Sequence, residues 1–217
     1  MYARTFQIFN GITHNRDVIN RCCSQHTDPT GCGISFANTQ LNIIRGLSHD
    51  SHEAHMNDVP YHSDVEVSEG ALLGCRDIAC IQHLLYHELG HRCSQIQFFS
   101  RDEGTHSMGV LESNALYSTS LGCSTSNGRR QLFERLVGRE TWQCIEDRIR
   151  ATGTECNSAR IEEMFADALF LPKWKNLNHY AWDCHSRPDE SHPPPDVYMP
   201  CLLAMPGQHE ILCRDSH

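Results

Sequence analysis

A length of 217 residues with 39% hydrophobic residues allows one good-sized hydrophobic core and excludes a disordered chain. The formal net charge of −9 argues against a nucleic-acid partner, because phosphate binding requires clustered Lys and Arg side chains. No stretch has the composition of a linker or the length of a membrane-spanning segment. We therefore expect a single domain over residues 1–217.

The N-terminal part, residues 1–70, is polar and shows little hydrophobic periodicity. Its best strand candidate covers residues 34–44, where Ile, Phe and Leu recur between polar residues. Four histidines follow without a fixed helical spacing, which favours exposed loop residues over metal ligands. They are His49, His52, His55 and His62.

Three helices are predicted within residues 71–171, the expected catalytic part of the domain. Apolar residues recur at steps of three and four positions over residues 77–99, 129–151 and 158–171. Pro172 is expected to close the third helix. Residues 172–217 lack this period and contain a run of three prolines, so we expect cysteine-bearing loops there. The predicted fold is a mainly helical α+β domain, in which the helix over residues 77–99 packs on a small sheet that includes residues 34–44.

Twelve cysteines are spread along the chain, none of them in C-x-x-C pairs. This usage predicts up to six disulfides and an oxidising compartment, so we expect a secreted or periplasmic protein. The opening MYARTFQIFN has no apolar run of the length of a signal peptide, and we expect that such a signal has been removed. A reducing compartment with free thiols is the alternative. Two local pairings, Cys144–Cys156 and Cys201–Cys213, are guesses.

One five-residue motif carries the chemistry, His87-Glu88-Leu89-Gly90-His91, which matches H-E-x-x-H. On a helix the two histidines lie one turn apart on the same face, so both can bind one Zn²⁺. The glutamate beside the first histidine is then close to the water that the zinc activates, and can act as its general base. The glycine permits a close backbone approach.

A zinc site of this kind needs a third protein ligand, and the segment ARIEEMFADALFL supplies candidates. Glu163 and Asp167 lie four apart on the predicted third helix. We predict Glu163 as the ligand and Asp167 as the acceptor of a hydrogen bond from a ligating histidine. His83 shares the helix face of the motif but is one turn too far to join the same ion. We predict a packing or supporting role for it, and a disulfide for Cys93.

H-E-x-x-H followed downstream by E-x-x-A-D resembles the gluzincin metallopeptidases, in particular the prenyl-protease and heat-shock-peptidase group and the lethal-factor-like peptidases. The resemblance implies a zincin-like domain in which the substrate lies along an edge strand, here the strand predicted over residues 34–44. This sequence lacks the transmembrane helices of many relatives. In that group a histidine-proline pair follows the third ligand, and Ser191-His192-Pro193 stands in a comparable place. The resemblance therefore implies that His192 lies near the zinc, where it either donates a hydrogen bond in the transition state or gates the open coordination position. Tyr180, His185 and Tyr198 are the other candidate oxyanion donors.

These features together predict a secreted zinc metalloendopeptidase that acts on a protein or peptide substrate. Glu88 is its predicted general base. The alternative is a zinc-binding protein or toxin-like effector that acts on one specific partner, with narrow or lost proteolytic activity. The retained glutamate favours the enzyme, because a purely structural zinc site needs no general base.

Overall fold

The computed structural model describes residues 1–24, 29–45, 64–99, 128–153, 158–174 and 195–205. This part of the chain is mainly helical and contains a two-stranded parallel sheet, which confirms the predicted α+β class. In chain order its elements are α1 (Tyr2–Thr13), α2 (Arg16–Cys23), α3 (Pro29–Ala37), β1 (Gln40–Ile44), β2 (Asp64–Ser68), α4 (Glu69–Gly74), α5 (Ile78–Phe99), α6 (Gly128–Val137), α7 (Arg139–Ala151), α8 (Ser158–Leu169), α9 (Leu171–Trp174) and α10 (Pro195–Leu203).

The long helix α5 is the centre of the fold. It begins just after Asp77, whose Oδ1 accepts a hydrogen bond from the backbone N–H of Cys80 at 2.9 Å and so caps the first turn. The helix contacts α1, α2, α3, α8, α9 and β2. Leu85 and Leu89 on it are completely buried. Because other elements cover α5 on several sides, polar side chains on its buried faces need partners from those elements.

The small sheet packs on this central helix through β2, as predicted. Its register pairs Gln40 with Asp64 at one end and Ile44 with Ser68 at the other. The strand predicted over residues 34–44 is only half correct, because its first four residues belong to α3. Strand β1 starts at Gln40, after the helix has ended.

The N-terminal part is more ordered than the sequence indicated, since three helices lie within residues 1–37. Helix α1 buries Thr5, Phe9 and Ile12, which lie at helical spacing with a threonine in one apolar position. The side chain of Asn15 caps α2 by accepting hydrogen bonds from two backbone N–H groups. The prediction of an irregular N-terminal part was wrong, because the buried face of α1 uses threonines, which hide the hydrophobic period.

The helix predicted over residues 129–151 is two helices. Gly138, with φ of 82°, separates α6 from α7, because this backbone conformation cannot continue a right-handed helix. The helix predicted over residues 158–171 ends at Leu169, and the short α9 that follows contains Pro172. The loops predicted after residue 172 were wrong for Pro195–Leu203, which form α10 and begin with the proline that suits a first helical position.

Four disulfides lie in the described part of the chain: Cys22–Cys93, Cys23–Cys32, Cys75–Cys80 and Cys144–Cys201. The first confirms the predicted disulfide of Cys93 and ties α5 to α2. The last shows that both guessed local pairings were wrong, because Cys144 and Cys201 bond to each other across 57 residues. The remaining cysteines lie outside the described residues; they are Cys123, Cys156, Cys184 and Cys213.

Among the helices described, none combines the length and the apolar composition needed to cross a membrane.

Candidate metal centre

Helix α5 brings the two histidines of the motif together. His87 and His91 lie one helical turn apart, with their ring centroids separated by 4.8 Å. Their Nε2 atoms face each other at 3.1 Å. The side chain of His87 is 4% exposed, whereas that of His91 is 20% exposed. The pair therefore has a buried side at His87 and a side open to solvent at His91.

Helix α8 adds a carboxylate to this pair. Oε2 of Glu163 lies 3.1 Å from Nε2 of His87 and 3.3 Å from Nε2 of His91. The three atoms form a nearly equilateral triangle. Ligand atoms that bind zinc tetrahedrally at about 2.0–2.1 Å are separated by about 3.3 Å. The donor set and the triangle therefore fit one Zn²⁺ ion, which His87, His91 and Glu163 would hold.

The approach of the two helices is set by Gly90, which lies between the two histidines on α5. A Cβ atom on this residue would lie 2.6 Å from Cα and 2.7 Å from the carbonyl oxygen of Ala166 on α8. Such distances are well inside van der Waals contact, so the helix backbones touch here only because no side chain intervenes. Ala166 lies between Glu163 and Asp167. The close approach at Gly90 thus places both carboxylates against the histidines.

Asp167 fixes the orientation of His87. Its Oδ1 lies 2.8 Å from Nδ1 of His87, so this nitrogen is protonated and donates a hydrogen bond to the carboxylate. Nε2 of the same ring faces Glu163. The other carboxylate oxygen, Oδ2, accepts a hydrogen bond of 2.5 Å from the hydroxyl of Tyr198. His83 is also buried against this carboxylate, with Nε2 3.7 Å from Oδ1. His83 thus lies behind the histidine pair, in the supporting position predicted for it.

The electrostatic field of this cluster favours cations. Burial alone would lower the pKa of His87, but the charge and hydrogen bond of Asp167 and the hydrogen bond of Glu163 raise it to about 10. Burial likewise opposes the charged form of His91, but Glu163 and the nearby charge of Glu88 raise its pKa to about 9. When both imidazoles are neutral, the carboxylates therefore leave the cluster with an excess of negative charge. Such a field stabilises a proton or a divalent metal ion between them.

The same cluster keeps Asp167 ionised and Tyr198 neutral. Burial would raise the pKa of Asp167, but His87 and His83 hold it well below its usual value. Burial raises the pKa of Tyr198 well above 10, and the charge of Asp167 adds to this effect. The phenol is therefore a permanent hydrogen-bond donor to a permanent carboxylate at neutral pH.

Glu88 lies beside the cluster and is half-buried. Its charge contributes to the raised pKa of His91, the more exposed of the two histidines. Leu89, the next residue along α5, is completely buried. A half-buried carboxylate beside the triangle can exchange protons with a water that approaches the site.

Some of the predicted site residues lie in the described part of the chain, and others lie outside it. It brings His87, His91, Glu163 and Asp167 together. His192 lies outside the described residues, as do two of the other candidate oxyanion donors, Tyr180 and His185, and the four histidines of residues 49–62.

Tyr198 is the remaining candidate oxyanion donor, and the prediction of this role for it was wrong. Its hydroxyl is bound to Asp167 behind the histidines, and its side chain is 1% exposed. No local pattern predicts this contact, because the two residues are 31 positions apart on different helices.

No protein-family model, curated protein or solved structure matches this chain.

Proposed function

We propose that the protein is a zinc-dependent metallopeptidase of the gluzincin type. In this proposal His87, His91 and Glu163 hold the ion, and Glu88 is the general base. The observation that carries it is the triangle of ligand atoms with sides of 3.1–3.3 Å, in which Asp167 fixes the tautomer of His87. A structural zinc site would close the fourth position with another protein ligand. Within the described part of the chain, the group that could hold an ion here has three members, and the half-buried Glu88 lies beside it.

Each protein group has a separate task in the reaction. When bound, zinc supplies Lewis acidity toward a water molecule and a substrate carbonyl. Glu88 accepts a proton from the attacking water and donates it to the departing amine. The Asp167 carboxylate holds His87 in one orientation, so that the ligand set does not reorganise during the reaction. The arrangement supports hydrolysis of a peptide bond without a covalent enzyme intermediate.

The disulfides support a place for this activity outside the cytoplasm. Four bridges lie in the described part of the chain, which is typical of proteins in an oxidising compartment. We therefore propose a secreted or periplasmic enzyme whose substrate is a protein or a peptide.

The first experiment tests the metal and the reaction together. The purified protein should contain about one zinc per chain. It should also cleave members of a peptide library, lose this activity in a chelator and regain it when zinc is added. Absence of zinc after preparation in zinc-containing buffer would contradict the site. One bound zinc without cleavage of any peptide would instead favour a binding protein or an effector with a single partner.

Glu88→Gln tests the general base. The variant should retain its zinc, because Glu88 is not a ligand, while kcat/KM falls by about 10²–10⁴-fold. Glu140→Gln is the matched control, since this exposed glutamate lies in the first turn of α7 and takes no part in the site. Full activity of the zinc-loaded Glu88→Gln protein would refute the mechanism.

A further inference from the structure

Tyr198 and His87 bind opposite oxygens of the same carboxylate. The tyrosine hydroxyl donates to Oδ2 of Asp167 at 2.5 Å, and Nδ1 of His87 lies 2.8 Å from Oδ1. All three residues are buried, with exposed fractions of 1%, 7% and 3% for Tyr198, Asp167 and His87. An unbroken chain of hydrogen bonds therefore leads from α10 through α8 to a histidine of the ligand triangle.

A carboxylate in this position needs an anchor on each oxygen. Rotation of a carboxylate about its terminal side-chain bond is soft, with broad minima. A single hydrogen bond from His87 would thus leave Asp167 free to turn. The hydroxyl of Tyr198 fixes the second oxygen, and the buried His83 lies near the first. Because water is largely excluded, no solvent molecule readily replaces the hydroxyl as donor.

The position of Tyr198 is itself fixed from both sides along α10. The carbonyl oxygen of Val197 accepts a hydrogen bond of 2.6 Å from Nε of Arg148 on α7. Cys201, one helical turn after the tyrosine, is bonded covalently to Cys144, which like Arg148 lies on α7. Helix α10 is thereby fastened to α7 immediately before and after Tyr198. The hydroxyl therefore contacts Asp167 from a helix that has little freedom to move.

From this arrangement, and resting on the zinc site proposed above, we propose that Tyr198 is a positioning residue of the metal centre. Its hydroxyl holds the Asp167 carboxylate in the plane that keeps Nε2 of His87 directed at the ion. Tyr198 touches neither the metal nor the substrate. It acts through Asp167, and α10 with its disulfide is the structural support of this action.

The test compares the zinc affinity of two variants that each lose one tyrosine hydroxyl. Tyr198→Phe removes the donor to Asp167 and preserves the ring. Tyr2→Phe is the matched control, because its hydroxyl also donates to a carboxylate, that of Glu69, on other helices. Zinc affinity is measured by competition with a chelating dye. Tyr198→Phe should bind zinc about tenfold more weakly, the lower end of the 10–100-fold typical of groups that support a ligand. The control should bind like the wild type.

A double-mutant cycle separates positioning from general structural support. If Tyr198 acts through Asp167, then Tyr198→Phe should cost little further affinity in an Asp167→Asn background. Additive losses would overturn the inference, and so would wild-type affinity of Tyr198→Phe while the wild type binds zinc. Failure of the wild type to bind zinc would overturn the metal site as well, so the two failures are distinguishable.

A measurement on the wild type serves if Tyr198→Phe does not fold. Proton NMR of the zinc-loaded protein should show one tyrosine hydroxyl proton that exchanges slowly with solvent, because the donor is buried and bonded. Its resonance should shift in Asp167→Asn. Absence of any slowly exchanging hydroxyl proton would refute the contact on which the inference depends.

Discussion

Two pairs of helices in this protein are held together by different physical means. Helices α5 and α8 carry the candidate ligands, and their backbones touch at Gly90 and Ala166. None of the disulfides found in the described residues joins these two helices. Helices α7 and α10 are joined by the Cys144–Cys201 bridge. The first pair, here called the contact pair, thus depends on the absence of a side chain at Gly90. The second, the covalent pair, depends on a disulfide.

This difference shows that the backbone contact sets the distance between helices, whereas the disulfide limits their separation. A disulfide limits how far two helices can separate, but it does not determine their distance to a few tenths of an ångström at a neighbouring site. Backbone contact at Gly90 does so, because close-packed atoms leave no room for adjustment. The two pairs meet at Asp167, to which α10 contributes the hydroxyl of Tyr198. The covalent pair therefore supports the site that the contact pair builds.

The largest expected effect is on stability, when the covalent pair is broken. Replacement of both Cys144 and Cys201 by Ala should lower the free energy of unfolding by about 4 kcal/mol, because the bridge closes a long loop. The same change at Cys75 and Cys80, which are five residues apart, should cost about 2 kcal/mol. Urea unfolding of the oxidised proteins measures both. Equal losses would show that loop length does not govern these bridges.

Gly90→Ala should break the contact pair. The added methyl group would meet the backbone of Ala166, which cannot rotate away, so we expect a loss of about 1–3 kcal/mol and a weaker zinc affinity. Gly11→Ala is the matched control. It lies in α1, where no described atom other than those of its chain neighbours and its own helix backbone comes within 4 Å of the added Cβ. This change should stabilise the protein by about 0.5–1 kcal/mol. Unfolding curves with and without zinc provide both values. Unchanged zinc affinity in Gly90→Ala would show that the helix contact does not determine the geometry of the zinc site.

The smallest effect concerns the residue that links the two pairs. Burial raises the pKa of Tyr198 well above 10, so its folded state favours the neutral phenol. The resulting stability is complete below about pH 10 and is lost as the pH rises further. Absorbance at alkaline pH counts ionised phenols. Wild type and Tyr198→Phe should give the same rise near pH 11 while folded and differ by one phenol in guanidinium. A difference in the folded proteins would show that the phenol is accessible.

Much of the candidate site could be predicted from local spacing alone. The histidines of the motif and the two carboxylates of α8 are each four residues apart, and a helix places such residues on one face whatever the surrounding fold. The bounds of α5 also followed from the apolar period, within one residue at its start. The break at Gly138 was missed, because the apolar period continues on both sides of it.

The N-terminal helices were missed for a related reason. Helix α2 has only eight residues, too few to be stable alone, and it is held by tertiary packing and two disulfides. Such a helix leaves a weak periodic signal in the sequence. The disulfide pairing of Cys144 with Cys201 was equally out of reach, since many pairings are compatible with twelve cysteines.

The sequence by itself determined the candidate ligands, because their types and spacing along two helices are local properties. It also determined the mainly helical class and the disulfide chemistry. Only the tertiary structure decided that α5 and α8 meet at Gly90 and Ala166, and that Tyr198 reaches Asp167 from a third helix. Contacts between distant segments depend on how whole helices pack. A side chain's partner across such an interface is therefore defined by the fold, and the residues on either side of it in the chain do not reveal it.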